Sequence, residues 1–267
     1  MLKYPILLVH GMGFRDRKIL NYWGRIPEYI EKRGCKVYYG NQDSNASIEE
    51  NGKMLAERIG EILKETGTQK LNVIAHSKGG LDIRYAISSL GMEDSIASLT
   101  TLSTPHLGSK TVERLLHLPD FLIRFVAKCT DIWMKILGDR TPDTYSVFHS
   151  LSTQGAEKFN SENPNSDTVY YQSYAFVMKH FYSDIFLWFP SLVVKLCEGD
   201  NDGLLSPDSV KWGEFQGIIK SSSNRGISHC DEVDLRRRHF TKKQGDGIGD
   251  IIQLYEDILN KLEEKGF

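Results

Sequence analysis

Three side chains far apart in the chain have the chemistry to open an acyl carbonyl together. Ser77 stands in Ala75-His76-Ser77-Lys78-Gly79-Gly80, between an apolar run, Leu71 to Ala75, and a helical period at Leu81, Arg84, Tyr85 and Ile87. Such a strand-turn-helix thrusts the serine above the sheet on a strained turn, and its neighbours must be small because strand and helix nearly touch there. A serine hydroxyl barely ionises near neutrality, so it needs a base to take its proton and a carboxylate to orient that base. The expected order for this turn is serine, then an acid late in the sheet, then histidine in a loop before the last helix. Asp202, in Glu198-Gly199-Asp200-Asn201-Asp202-Gly203, and His229, in Gly226-Ile227-Ser228-His229-Cys230-Asp231, follow that order. Asp200 and Asp208 are the other candidates for the acid. His239 is the other late histidine, but Arg236-Arg237-Arg238 beside it depress its basicity.

Attack on a carbonyl also needs donors where negative charge develops, usually backbone amides. His10-Gly11-Met12-Gly13-Phe14 directly follows the apolar run Ile6 to Val9. Its glycines let the backbone fold back toward the sheet edge, bringing the Met12 amide beside that of Lys78. The phosphate-loop pattern G-x-x-x-x-G-K-[ST] does not occur.

The elements that must carry these residues read as alternating strands and helices, hence a parallel sheet. Tyr4 to Val9, Cys35 to Tyr39, Leu71 to Ala75 and Ser98 to Leu102 are the early strand candidates, with Val169 to Phe176 and Leu192 to Cys197 later. Ser47 and Glu50 form a capping box for a helix that carries Met54, Leu55, Ile59, Ile62 and Leu63 on one face and stops at Gly67. Ile251, Tyr255, Ile258, Leu259 and Leu262 predict a last amphipathic helix closing one sheet face.

With 267 residues, 33 basic against 35 acidic side chains and 40% hydrophobic content, the chain is long enough for one large α/β domain, and nothing in its charge favours nucleic acid. With a mean hydropathy of -0.35 the composition reads as that of an ordinary soluble globular protein, and no transmembrane segment is expected. Cys35, Cys129, Cys197 and Cys230 form no CxxC pair and are expected to be free thiols. The start of the chain has no signal-peptide form, so the protein is expected in the cytoplasm as written, or secreted if a leader has been removed.

From Thr111 to Leu137 the pattern changes: Arg124, Lys128, Asp131 and Lys135 form a charged stripe, and Leu122, Phe125, Val126, Cys129, Trp133 and Ile136 lie opposite. Four charges rule out a membrane span. The segment reads either as a buried cap helix or as a lid whose apolar underside covers an acyl-binding site and meets a lipid interface transiently. Phe181, Tyr182, Phe186, Trp188 and Phe189 could form its other half. The Arg236 to Arg238 run reads as a solvated face, or more weakly as a patch for anionic headgroups.

Taken together, these stretches resemble the bacterial triacylglycerol lipases of the α/β-hydrolase fold. The resemblance rests on Leu8 to Phe14, Asn72 to Asp82, Leu102-Ser103-Thr104-Pro105-His106-Leu107-Gly108-Ser109, Asn201 to Pro207 and His229-Cys230-Asp231-Glu232-Val233. It implies one domain over 1–267: a mostly parallel central sheet flanked by helices, with a helical cap inserted after the fourth strand. The cap is expected at 109–165 and about 178–190. It also implies Ser77 as nucleophile, His229 as base, Asp202 as orienting acid, Met12 and Lys78 as the oxyanion hole, and lipid esters as substrates cleaved through an acyl-enzyme. Phospholipase, thioesterase or polyester-cleaving activity are the nearest alternatives; a catalytically silent binding protein of the same fold is another. No cofactor is required for this chemistry. Several of these lipases hold a structural calcium with an acidic residue two positions after the catalytic histidine, here Asp231, and Asp184 is the second candidate ligand.

Overall fold

A computed structural model describes residues 2–16, 21–240 and 246–267. Six parallel strands form one sheet in the order β2-β1-β3-β4-β5-β6. They are β1 (Ile6–Val9), β2 (Val37–Tyr39), β3 (Leu71–His76), β4 (Ile96–Leu102), β5 (Tyr170–Phe176) and β6 (Glu214–Ile219). Side chains alternate across the pleat, so both faces of β1 are apolar. Ile6 and Leu8 join Trp23, Ile26, Ile30 and the C-terminal helix, whereas Leu7 and Val9 join Leu55, Ile59, Ile83 and Ile87.

Helices α1 (Ile26–Lys32) and α9 (Ile251–Glu264) supply the first face; α2 (Ile48–Thr66) and α3 (Gly79–Ser89) supply the second. The Ser47 side chain accepts from the Glu50 amide, and Gly67 closes α2 in a left-handed C-cap, as the capping pattern predicts. All five apolar positions expected of the last helix are buried in α9.

Leu192 to Cys197 is not a strand. It lies in helix α8 (Trp188–Glu198), with Ser191 and Val194 buried three residues apart. Pro190 sits in the first turn, where a helix needs no amide donor but a strand ladder does, and the apolar run hid that signal. The sixth strand is instead β6, an edge strand whose Gly217, at φ 90°, takes up an extra residue where its register against β5 shifts.

Between β4 and β5 stand four helices: α4 (Lys110–Leu115), α5 (Asp120–Ile136), α6 (Thr144–Ser150) and α7 (Thr153–Glu162). On α5 only Ile123, Ala127 and Met134 are buried; Phe121, Phe125, Trp133 and Ile136 face outward, each more than half exposed. No helix of the described residues is long and apolar enough to cross a membrane.

Candidate active site

Ser77 follows directly on β3 and holds φ at 54°, a left-handed conformation uncommon for a residue with a Cβ. Three contacts enforce it: the Ser77 amide donates to Leu102 O at 2.9 Å, and its carbonyl accepts from Gly80 N at 3.1 Å and Thr104 Oγ1 at 2.8 Å. The glycines after it allow the turn. A Cβ at Gly79 would stand 2.3 Å from His10 O and 2.8 Å from Val9 O, because the start of α3 lies directly on the end of β1.

Asp202 lies in the loop after α8 and His229 in the loop after β6. The His229 amide donates to Asp202 O at 2.8 Å, and its ring Nδ1 lies 2.9 Å from Asp202 Oδ2. Asp202 is fully buried, which by itself pushes its pKa up. The charge and ring hydrogen bond of His229, with the Leu204 and Leu205 amides on Oδ1, outweigh that and hold it well below the usual carboxylate range. The rival residues lie elsewhere: Asp208 pairs on the surface with Lys211, Asp200 is exposed, and His239 is an exposed partner of Asp250.

Ser77, His229, Met12 and Lys78 line one cavity of about 300 Å³, together with Phe14, Pro105, Val112, Phe148, Leu187 and Leu204. The Met12 turn is pinned on both sides, by Gly11 N to Tyr22 Oη and Gly13 N to Asn45 Oδ1, each at 3.2 Å. Lys78 buries its side chain, and Nζ pairs with Asp82 at 2.6 Å. A second cavity of about 260 Å³, wholly apolar, adjoins the first through Val112 and Phe148 and is lined by Leu122 and Val126. Phe125, Trp133, Phe186 and Trp188 line neither; they are solvent-exposed, Phe186 at 78%.

The sequence reading missed a buried network behind the Asp202–His229 pair. Glu232 accepts from Ser103 Oγ at 2.9 Å and pairs with His76 Nε2 at 3.2 Å, while His76 Nδ1 meets Tyr22 Oη at 2.5 Å. Burial, then the neighbouring Asp202 charge, raises the Glu232 pKa well above the usual value, which favours its neutral form. Burial, with His229 beside it, lowers the His76 pKa well below the usual value. The signal was present three residues after His229, but nothing in the sequence tells a buried acid from an exposed one. His76, His229 and Glu232 bring ligand-type atoms within 4.8 Å of one another, yet their hydrogen bonds already engage them with each other, Tyr22 and Asp202.

Asp184 is buried too. Its Oδ1 accepts from the Phe186 amide at 2.9 Å and the Leu187 amide at 3.2 Å, and it pairs with Arg236 Nη2; its Oδ2 accepts from Ser228 Oγ at 2.9 Å. Asp231 Oδ2 accepts from the Ser228 amide at 3.1 Å and lies 2.8 Å from the same Ser228 hydroxyl, whose single proton the two carboxylates share. Arg236 therefore departs from the solvated face expected of the run, with its side chain 11% exposed, whereas Arg237 and Arg238 are exposed.

Fold and site together are those of a carboxylic ester hydrolase with the α/β-hydrolase fold. The chain belongs to the family described as "Putative serine esterase (DUF676)", whose profile matches residues 28–163. It is 31% identical over 264 residues to Triacylglycerol lipase 2 of Saccharomyces cerevisiae, covering 93% of this chain and 75% of that protein. It is 26% identical to a triacylglycerol lipase of Vibrio cholerae, over 99% of this chain and 89% of that one. Among solved structures, mature Bacillus licheniformis lipase superposes with a TM-score of 0.69 at 20% identity, over 97% of this chain and 92% of that one.

Proposed function

We propose that this chain hydrolyses lipid esters through an acyl-enzyme on Ser77. His229 acts as general base and acid, Asp202 orients it, and the amides of Met12 and Lys78 receive the oxyanion. The observation that carries the reading is the pairing of His229 Nδ1 with Asp202 at 2.9 Å in a histidine that shares a cavity with a left-handed Ser77. With Nδ1 held by Asp202, Nε2 is the nitrogen free to take the serine proton.

Ser77 Oγ bonds to the ester carbonyl carbon as its proton passes to His229 Nε2. The tetrahedral oxyanion collapses, the carbon–oxygen bond to the alcohol breaks, and the departing oxygen takes the proton from His229. Water, deprotonated by His229, then attacks the acyl-serine; the acid departs and Ser77 recovers its proton. The apolar cavity against α4 and α5 suits the acyl chain, and the names of the yeast and Vibrio relatives support triacylglycerol as the ester. The four helices between β4 and β5, with the aromatic segment at 181–189, form the cap, and their exposed apolar side chains provide a contact for a lipid surface.

Ser77→Ala should lower kcat by about 10⁶-fold while the protein stays folded, and fluorophosphonate should label the wild type but not the variant. Rates over p-nitrophenyl esters from acetate to stearate should peak above the shortest chains. An active folded variant would refute the nucleophile; a preference for acetate would refute the lipid substrate.

A further inference from the structure

The resemblance to calcium-binding lipases implies Asp231 as a ligand, with Asp184 the second candidate, and the donor set does not fit that ion. A calcium site needs six to eight oxygens at 2.3–2.6 Å. Here Asp184 already has a cation on it, the guanidinium of Arg236, in a pair whose side chains are 1% and 11% exposed. The remaining capacity of Asp184 goes to two backbone amides and the Ser228 hydroxyl.

We infer that Arg236 is the built-in cation of this site, fastening the His229 loop to the 183–187 segment without metal. Each connection is direct. Ser228, which precedes His229, is held to Asp184 at 2.9 Å; Asp184 caps the turn at Phe186 and Leu187; and Leu187 lines the reaction cavity. Arg236 belongs to the same stretch as His229 and lies over the Phe186 ring, 5.0 Å from its centroid. Arg225 adds a second tie, donating from Nε to Ser183 O at 3.0 Å. An isolated carboxylate with this burial is costly unless a positive charge compensates it, and a covalently attached arginine supplies that charge at any calcium concentration. Arg236 is thus a positioning residue, acting on His229 through Asp184 and Ser228.

The inference rests on His229 being the catalytic base, and its test separates the two. Calorimetric titration of the wild type with calcium should show no binding, and EDTA should change neither Tm nor kcat/KM. Arg236→Ala should lower Tm by several degrees and reduce kcat more than it raises KM. It should also make both Tm and kcat respond to millimolar calcium, because Asp184 is then uncompensated. Only Nη2 of Arg236 contacts Asp184, and Nη1 has no hydrogen-bond partner among the described residues, so Arg236→Lys should restore calcium indifference. Stoichiometric calcium binding by the wild type, or loss of its activity in EDTA, overturns the inference even if Arg236→Ala fails to fold. The Ser77→Ala experiment reads the catalytic assignment independently, since calcium binding and Tm need no turnover.

Discussion

Glu232 Oε1 lies 3.8 Å from His229 Nδ1, behind the Asp202 carboxylate that holds the same nitrogen at 2.9 Å. Two acids beside one imidazole cannot both ionise cheaply, and their environments separate them: the Asp202 pKa is held down and the Glu232 pKa is pushed up.

The raised pKa of Glu232 gives a signed stability prediction. Its folded pKa lies above its unfolded value of about 4.3, so its contribution is complete below that pH and is lost as pH rises toward the folded value. Glu232→Gln keeps a hydrogen-bonding neutral group there and removes the proton linkage. Its Tm should exceed that of the wild type near about pH 8, and the gap should close toward about pH 4. Glu232→Ala should instead cost about 2 kcal/mol, since Ser103 and His76 lose a buried partner. Thermal unfolding across that pH range checks the first and urea unfolding the second; a Gln variant whose Tm follows the wild-type pH dependence would show that the Glu232 pKa is not raised.

For Asp202 the sign is opposite. Its folded pKa is depressed, so its contribution is present above about pH 4 and is lost as pH falls through the folded value. Asp202→Asn removes that linkage and leaves His229 without its orienting charge. Steady-state kinetics on a soluble ester should show kcat lower by about 10⁴-fold, with KM little changed. A loss below tenfold would assign the orienting role elsewhere.

Gly79→Ala tests the close approach beneath the serine turn. The added methyl would meet two carbonyl oxygens of the first strand end, at 2.3 and 2.8 Å, and backbone cannot swing aside as a side chain can. Unfolding in denaturant should show a loss of about 3 kcal/mol or more. A variant of wild-type stability would mean that α3 and β1 are further apart than described.

Much of this site was legible because its signals are local. The small residues around Ser77, the glycines around Met12 and the Ser47–Glu50 cap are each set by steric or hydrogen-bonding needs within a few residues. The pairing of Asp202 with His229 was expected from their order in the chain, even though the strand expected before Asp202 is helix α8. What sequence could not supply is the pairing of distant groups. Arg236 in a row of three arginines looks solvated until Asp184, fifty-two residues away, is placed against it. Glu232 looks like any loop acid until Ser103 and His76 close over it. The outward aromatic residues of α5 were equally ambiguous, because amphipathic spacing shows that an apolar face exists without showing what it meets.

That outward face carries the last prediction. Phe121, Phe125 and Trp133 are 69%, 67% and 57% exposed and line neither cavity, so removing their rings should leave the chemistry at Ser77 intact. If they contact a lipid surface, each contributes apolar area only when an interface is present, at roughly 25 cal/mol per Å² buried. The triple variant Phe121→Ser, Phe125→Ser, Trp133→Ser should keep kcat/KM on soluble p-nitrophenyl butyrate. It should lose at least about tenfold on emulsified triolein, because three rings withdrawn from an interface forfeit more than the ~1.4 kcal/mol that a factor of ten requires. Binding to triolein droplets in a flotation assay, done with the Ser77→Ala background to prevent turnover, should fall in parallel. Equal losses on both substrates would place these residues in folding or in the reaction cavity, and equal retention on both would leave the exposed face without a role in lipid contact.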